Sequence, residues 1–128
     1  MRLEKINIAG IENIYTISAV KKEFRKAAGE PWQNSPPWKR YQKKLLQDLA
    51  VLDVELEHAI NLPQFEKLVD DKYLFSIRHP EAKKNVRILY TIQSGLVILL
   101  VAFLENNISD YKRAIYTARF RLKWLERS

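Results

Sequence analysis

The segments YLFSIR (73–78), VRILYTIQ (86–93) and GLVILLVAFL (95–104) carry the architecture of this chain. In the first, Tyr73, Phe75 and Ile77 alternate with Leu74, Ser76 and Arg78. In the second, Val86, Ile88, Tyr90 and Ile92 alternate with Arg87, Leu89, Thr91 and Gln93. A period of two puts the apolar side chains on one face of an extended strand, so two amphipathic strands are expected. HPEAKKN (79–85) is a polar loop between them, and Ser94-Gly95 is a tight turn into an apolar run that reads as a strand covered on both faces. Residues 72–106 thus predict an antiparallel meander.

After Asn106-Asn107, Ser109 or Asp110 can cap a helix over 109–127. At 100° per residue, Tyr111, Ala114, Ile115, Ala118, Leu122 and Leu125 form an apolar stripe suited to lie on the sheet. Lys112, Tyr116, Arg119, Lys123 and Arg127 form a second stripe beside it, with Phe120 and Trp124 pointing elsewhere.

Upstream, Trp38, Tyr41, Leu45, Leu49, Leu52 and Leu56 recur at helical spacing and predict a helix over 38–61, ending near Pro63. Residues 27–38, AAGEPWQNSPPW, are a connector, and residues 3–20 suggest one strand or a pair of short ones, so 1–37 reads as N-terminal strand and connector. The helix places Lys39, Arg40, Lys43 and Lys44 early and Asp48, Asp53, Glu55 and Glu57 late, the reverse of what the macrodipole favours. Either a functional basic patch or a solvated face with pairs such as Lys44 to Asp48 accounts for this order.

One domain of 128 residues, 47% hydrophobic and 29% charged, can bury a real core. Absence of cysteine excludes disulfides and thiolate zinc sites, and two histidines exclude a histidine-rich metal site; no metal or other cofactor is expected. The longest apolar stretch, Leu96 to Leu104, is far short of the ~20 residues of a membrane-crossing helix, and the N-terminus lacks a signal-peptide run. A soluble cytoplasmic protein without a membrane partner is the expectation. Glycine-rich phosphate loops, GxSxG, HExxH and CxxC are all missing from the sequence.

Charge is divided unevenly. From Lys72 to Ser128 there are eleven Lys or Arg against four acids, whereas Met1 to Asp71 holds eleven of each. A fold does not require such asymmetry; a polyanion uses it, which makes nucleic acid the leading partner. Arg78 and Arg87 share the less apolar phase of adjacent strands. Two guanidiniums side by side repel unless an anion lies between them: either the pair is a phosphate clamp, or one Arg pairs with an acid at the edge of the core and the other is solvated. His79, directly after Arg78, suits proton transfer near neutral pH. The cations around Tyr116 suit a phosphate backbone with a stacked base, or are a solvated face. Phe120 and Trp124 are either a protein-partner surface or packing beneath the N-terminal segment.

The order FEKLVDDKYLFSIR, NVRILYTI, GLVILLVAFLENN and AIYTARFRLKWL resembles the RelE/HigB superfamily of toxins from bacterial toxin–antitoxin modules, in particular its phage-derived HigB-like branch. The resemblance covers about residues 62–124: Arg78 falls in the first motif, Arg87 and Tyr90 in the second, Phe103 in the third, and Ala118 and Arg121 in the final helix. It implies an α+β RelE-like domain, an antiparallel sheet of about four strands with the N-terminal helix and a basic C-terminal helix packed on it. It also implies a metal-independent, ribosome-associated mRNA endoribonuclease restrained by a cognate antitoxin.

In that reading Arg78 and Arg87 stabilise the phosphorane, and His79 or Tyr90 moves protons. Lys83, Lys84, Asn107, Lys112, Arg113, Tyr116, Arg119 and Lys123 contact RNA, while Phe120 and Trp124 offer an antitoxin surface. The Lys pair usual after the family's phenylalanine is replaced here by Leu104-Glu105-Asn106-Asn107. A non-catalytic toxin-fold protein, either a ParE-like gyrase inhibitor or a degenerate member, is the alternative.

Overall fold

The hairpin at the centre of the sheet forms as its alternation predicts. In a computed structural model that describes residues 1–79 and 82–127, β5 (Val86–Gln93) and β6 (Leu96–Leu104) pair antiparallel from Val86↔Leu104 to Gln93↔Leu96. Ser94 and Gly95, with φ of 52° and 76°, make the left-handed two-residue turn that suits twisted strands. The register slips by one between Leu89 and Tyr90, which leaves Leu100 as the extra residue of a β-bulge. Its carbonyl oxygen accepts from Arg121 Nη1 at 2.7 Å.

Outward from β5 lie β4 (Phe75–Ile77) and β3 (Phe65–Lys67), both antiparallel. Outward from β6 the sheet continues with the pair of short strands expected within 3–20, whose place beside β6 the sequence did not announce. β2 (Ile14–Ile17) joins β6 in parallel and β1 (Leu3–Lys5) closes that edge antiparallel to β2. The expected four-stranded antiparallel sheet is therefore a six-stranded mixed one of order β1-β2-β6-β5-β4-β3. A parallel neighbour needs a crossover, and α1 (Ala19–Ala28) begins it.

Residues 1–37 thus hold a helix as well as a strand pair and a connector. Val20, Phe24, Ala27 and Ala28 are its buried stripe, and Gly29, at φ 72°, ends it. Both α1 and α3 (Ile108–Glu126) pack on β6, whose residues are buried without interruption from Val97 to Ala102. That explains the unbroken apolar run.

α2 (Arg40–Glu55) and a 3₁₀ turn (Leu56–Asn61) replace the single helix expected over 38–61. Leu45, Leu49 and Leu52 are buried as the periodicity requires. The reversed charge order of α2 has a structural counterpart. Buried Glu30, from the connector, accepts hydrogen bonds from the backbone N–H groups of Tyr41 and Gln42 at 2.9 to 3.1 Å, so a distant carboxylate supplies the negative charge that the helix start lacks. At its other end Asp53 accepts from the Glu12 and Asn13 N–H groups, tying the β1–β2 loop to the helix. α3 begins with a capping box: Asn107 accepts from Ser109 and Asp110, and Asp110 accepts from the Asn107 N–H. Among the described residues no helix is long and apolar enough to cross a membrane.

Candidate functional site

Where β4 ends at Ile77 the chain leaves the sheet beside the start of α2, and an open cleft of about 570 Å³ forms there. Arg40, Tyr41 and Lys44 line it from α2, Pro63 and Gln64 from the approach to β3, and Arg78 and His79 from the end of β4. Helical spacing puts Arg40 and Lys44 one turn apart on one face. The Arg78 N–H donates to the Gln64 carbonyl at 2.9 Å, fixing that edge.

Behind the cleft lies Asp48, only 1% exposed. Its Oδ2 stands 2.7 Å from His79 Nε2, an ion-pair distance when the imidazole is protonated, although the two atoms are not aligned as a hydrogen bond. Its Oδ1 accepts from Gln64 Nε2 at 3.3 Å and lies 3.8 Å from Lys44 Nζ. A buried carboxylate facing an imidazole stabilises the imidazolium that forms when histidine takes up a proton. The cleft therefore combines three cations, a proton acceptor and a carboxylate behind it.

Arg78 and Arg87 do share one face, and the anion between them is the protein's own. The two Glu66 oxygens are divided between them: Arg87 Nη2 contacts Oε1, and Arg78 Nη1 lies 3.6 Å from Oε2. Arg87, though on the less apolar phase of its strand, is only 6% exposed. It also donates to Glu105 Oε1 at 2.9 Å and to Ser76 Oγ, with its guanidinium 4.2 Å from the centre of the Tyr111 ring. A guanidinium this buried persists only with carboxylates around it, which is why Glu66 and Glu105 hold the places foreseen for a phosphate. Burial, opposed in part by Arg87 and assisted by Glu66, pushes the Tyr111 phenol above its ordinary range.

The cluster is joined to the cleft. Glu105 Oε1 also accepts from Asn85 Nδ2, and Asn85 Oδ1 in turn accepts from the His79 N–H at 3.4 Å. Arg87 thus steadies Arg78 through Glu66 and His79 through Glu105 and Asn85.

Tyr90 is a second correction. It lies on the opposite phase from Arg87, is fully buried, and stacks on Phe75 at 5.3 Å. Burial drives its phenol far above the ordinary value, and its hydroxyl has no hydrogen-bond partner among the described residues. It cannot exchange protons with a ligand in the cleft near neutral pH.

Asn107 is the α3 cap, already committed through its side-chain oxygen. Lys84 is tied down: its N–H donates to the Tyr41 hydroxyl at 3.1 Å and its Nζ to the Ala28 carbonyl at 3.2 Å. Lys83 is exposed.

On α3, Lys112, Tyr116, Arg119 and Lys123 all face solvent as their stripe predicts, but none lines the cleft. Arg113 pairs with Asp110 and Arg119 with Asp71 at 2.9 Å. Burial pushes the Asp71 carboxyl up, yet the hydrogen bonds from Arg119 and from the Tyr73 N–H outweigh it, and the group sits below its usual range. Phe120 is 62% exposed, whereas Trp124 is half-buried and packs against the core. Arg121 is internal, gripping Glu23 of α1 with both Nη atoms.

Tyr41, Gln64 and Asp48 were missed as site residues. Tyr41 and Asp48 lay in the helical pattern as a core position and half of a surface pair, and nothing local marks Gln64. Among the described residues no group of three or more His, Asp or Glu is placed to hold a metal ion. Comparison of the chain with protein-family models, with curated proteins and with solved structures gives no match.

Proposed function

We propose that this protein is an endoribonuclease of the RelE/HigB toxin kind, cutting RNA in the cleft between α2 and the end of β4. The observation that carries the reading is His79, backed by buried Asp48 and placed among Arg40, Lys44 and Arg78. Cleavage of this type needs only the substrate's own nucleophile. The ribose 2′-hydroxyl attacks the adjacent phosphorus, the bond to the 5′-oxygen of the next nucleotide breaks, and the products end in a 2′,3′-cyclic phosphate and a 5′-hydroxyl.

His79 accepts the 2′-hydroxyl proton, Asp48 stabilises the resulting imidazolium, and a water molecule protonates the departing 5′-oxygen. Arg40, Lys44 and Arg78 offset the charge that builds on the phosphorane. Arg87 acts through Glu66 and Glu105 as a positioning residue. The toxin reading brings with it a protein antitoxin, for which exposed Phe120 is an anchor, and messenger RNA presented on the ribosome.

Purified protein incubated with messenger RNA, both free and on bacterial ribosomes, tests the chemistry. Products with cyclic phosphate and 5′-hydroxyl ends are expected, falling by a factor of about 10² or more in His79→Ala. A second reading, action by protein binding alone, draws on exposed Tyr116 and Phe120 of α3. It predicts growth arrest with RNA intact, unaffected by His79→Ala.

A further inference from the structure

We infer that Tyr41 is a nucleobase-stacking platform, so that the cleft binds a base-bearing single strand and not merely a phosphate; the inference rests on the RNA reading above. Phosphate recognition explains Arg40, Lys44 and Arg78, but it leaves the aromatic wall of the cleft without a task.

Tyr41 is held at both ends. Its backbone N–H donates to buried Glu30 at 2.9 Å, and its hydroxyl accepts the Lys84 N–H at 3.1 Å. The ring is thereby fixed in orientation, packed in part against the core and in part open to the cleft. Arg40 adds a guanidinium whose carbon is 5.7 Å from the ring centre. A rigid aromatic face beside a guanidinium is the combination on which unpaired bases stack, because every base has a π-face and little ordering entropy remains to be lost. Capacity agrees with this use. About 570 Å³ falls in the range of sites that enclose small organic ligands, larger than a lone phosphate requires. Gln64, one of whose side-chain N–H groups is donated to Asp48, keeps its side-chain oxygen for the edge of a base.

The test is fluorescence anisotropy with a labelled 2′-O-methyl oligoribonucleotide, which lacks the attacking hydroxyl and is not cut, and with a strand of equal length that is abasic throughout. Wild-type protein is expected to bind the base-bearing strand roughly 5- to 150-fold more tightly than the abasic one, the range of one stacked base. Tyr41→Leu should lose that preference and bind both strands as wild type binds the abasic one. Tyr41→Phe, which keeps the ring, should retain most of it.

Equal affinity of wild type for the two strands overturns the platform while leaving the RNA reading in place. A loss in Tyr41→Leu that is the same on both strands overturns it too, since Tyr41 would then only support the fold. No binding of wild type to either strand overturns both. The comparison of the two strands on wild type alone decides the matter if the leucine variant does not fold.

Discussion

Arg87 shows how far a residue's role departs from its position in a pattern. Its phase on β5 places it correctly beside Arg78, but phase says nothing about depth, and the carboxylates that let it be buried come from Glu66 on β3 and Glu105 just after β6. Removing it leaves partly buried Glu105 without a cation and Glu66 with only Arg78, 3.6 Å away. Arg87→Ala should therefore destabilise the protein by about 3 kcal/mol, lowering Tm by roughly 10 °C, and should reduce cleavage as Arg78 and His79 lose their supports. An unshifted melting curve would contradict the buried cluster.

Asp48 permits a finer separation. Asp48→Asn keeps the shape but removes the charge facing His79, so cleavage should fall by an order of magnitude or more with RNA affinity little changed. Binding and cleavage assays on the one variant would decide.

At the scale of elements, the legible parts were those whose periodicity outlasts a few residues. β4, β5, β6, α2 and α3 were all foreseen, with ends within a few residues of those found except that α2 stops at Glu55 and a 3₁₀ turn carries on to Asn61. β3 was not foreseen, and β1 and β2 were foreseen only as one strand or a short pair within 3–20, an Ile-rich stretch whose phasing is broken around Gly10. α1 was hidden between that stretch and a proline-rich connector, although Val20, Phe24, Ala27 and Ala28 carry a helical spacing. Of the site, Arg78 and His79 were legible from their place at a strand end. Asp48 and Tyr41 were not, because tertiary placement alone separates them from ordinary helix positions.

The α3 capping box offers a check at this scale. Asn107→Ala should cost about 1 kcal/mol in denaturant unfolding without changing the m-value. Acid should weaken the same region. The Asp110 carboxyl is held below its ordinary value of 3.8, first by the Asn106 N–H and then by the Asn107 N–H and Arg113, with slight burial opposing them; Asp71 is held low in the balance described above. Groups depressed in the folded state add stability that is fully present above the unfolded value and is lost as pH falls through the folded one. Stability should thus decline below about pH 4, and less steeply in Asp71→Asn, as chemical unfolding across pH 2 to 7 would reveal.

Over the whole molecule, the excess of seven positive charges in the second half first pointed to a polyanion. The fold redistributes it. Two cleft cations, Arg40 and Lys44, come from the electrically balanced half, whose acids Glu23, Glu30, Asp48 and Asp53 are engaged in internal contacts. Several cations of the second half are themselves paired, among them Arg87, Arg113, Arg119 and Arg121. Local arrangement, not the net count, makes the cleft positive. Three cations meeting a single strand predict that log affinity falls against log salt with a slope of about −2, read from titrations at several salt concentrations. A flat dependence would remove phosphate from the account.

The central claim is that the His79 cleft cuts RNA. Mapping RNA 5′ ends and their chemistry in a bacterial host after brief induction of wild type or His79→Ala tests it most directly. New 5′-hydroxyl ends inside translated messages, present with wild type and gone with an equally abundant, equally folded variant, are what the account predicts. The same ends in both strains, or growth arrest by wild type with no new ends, would contradict it.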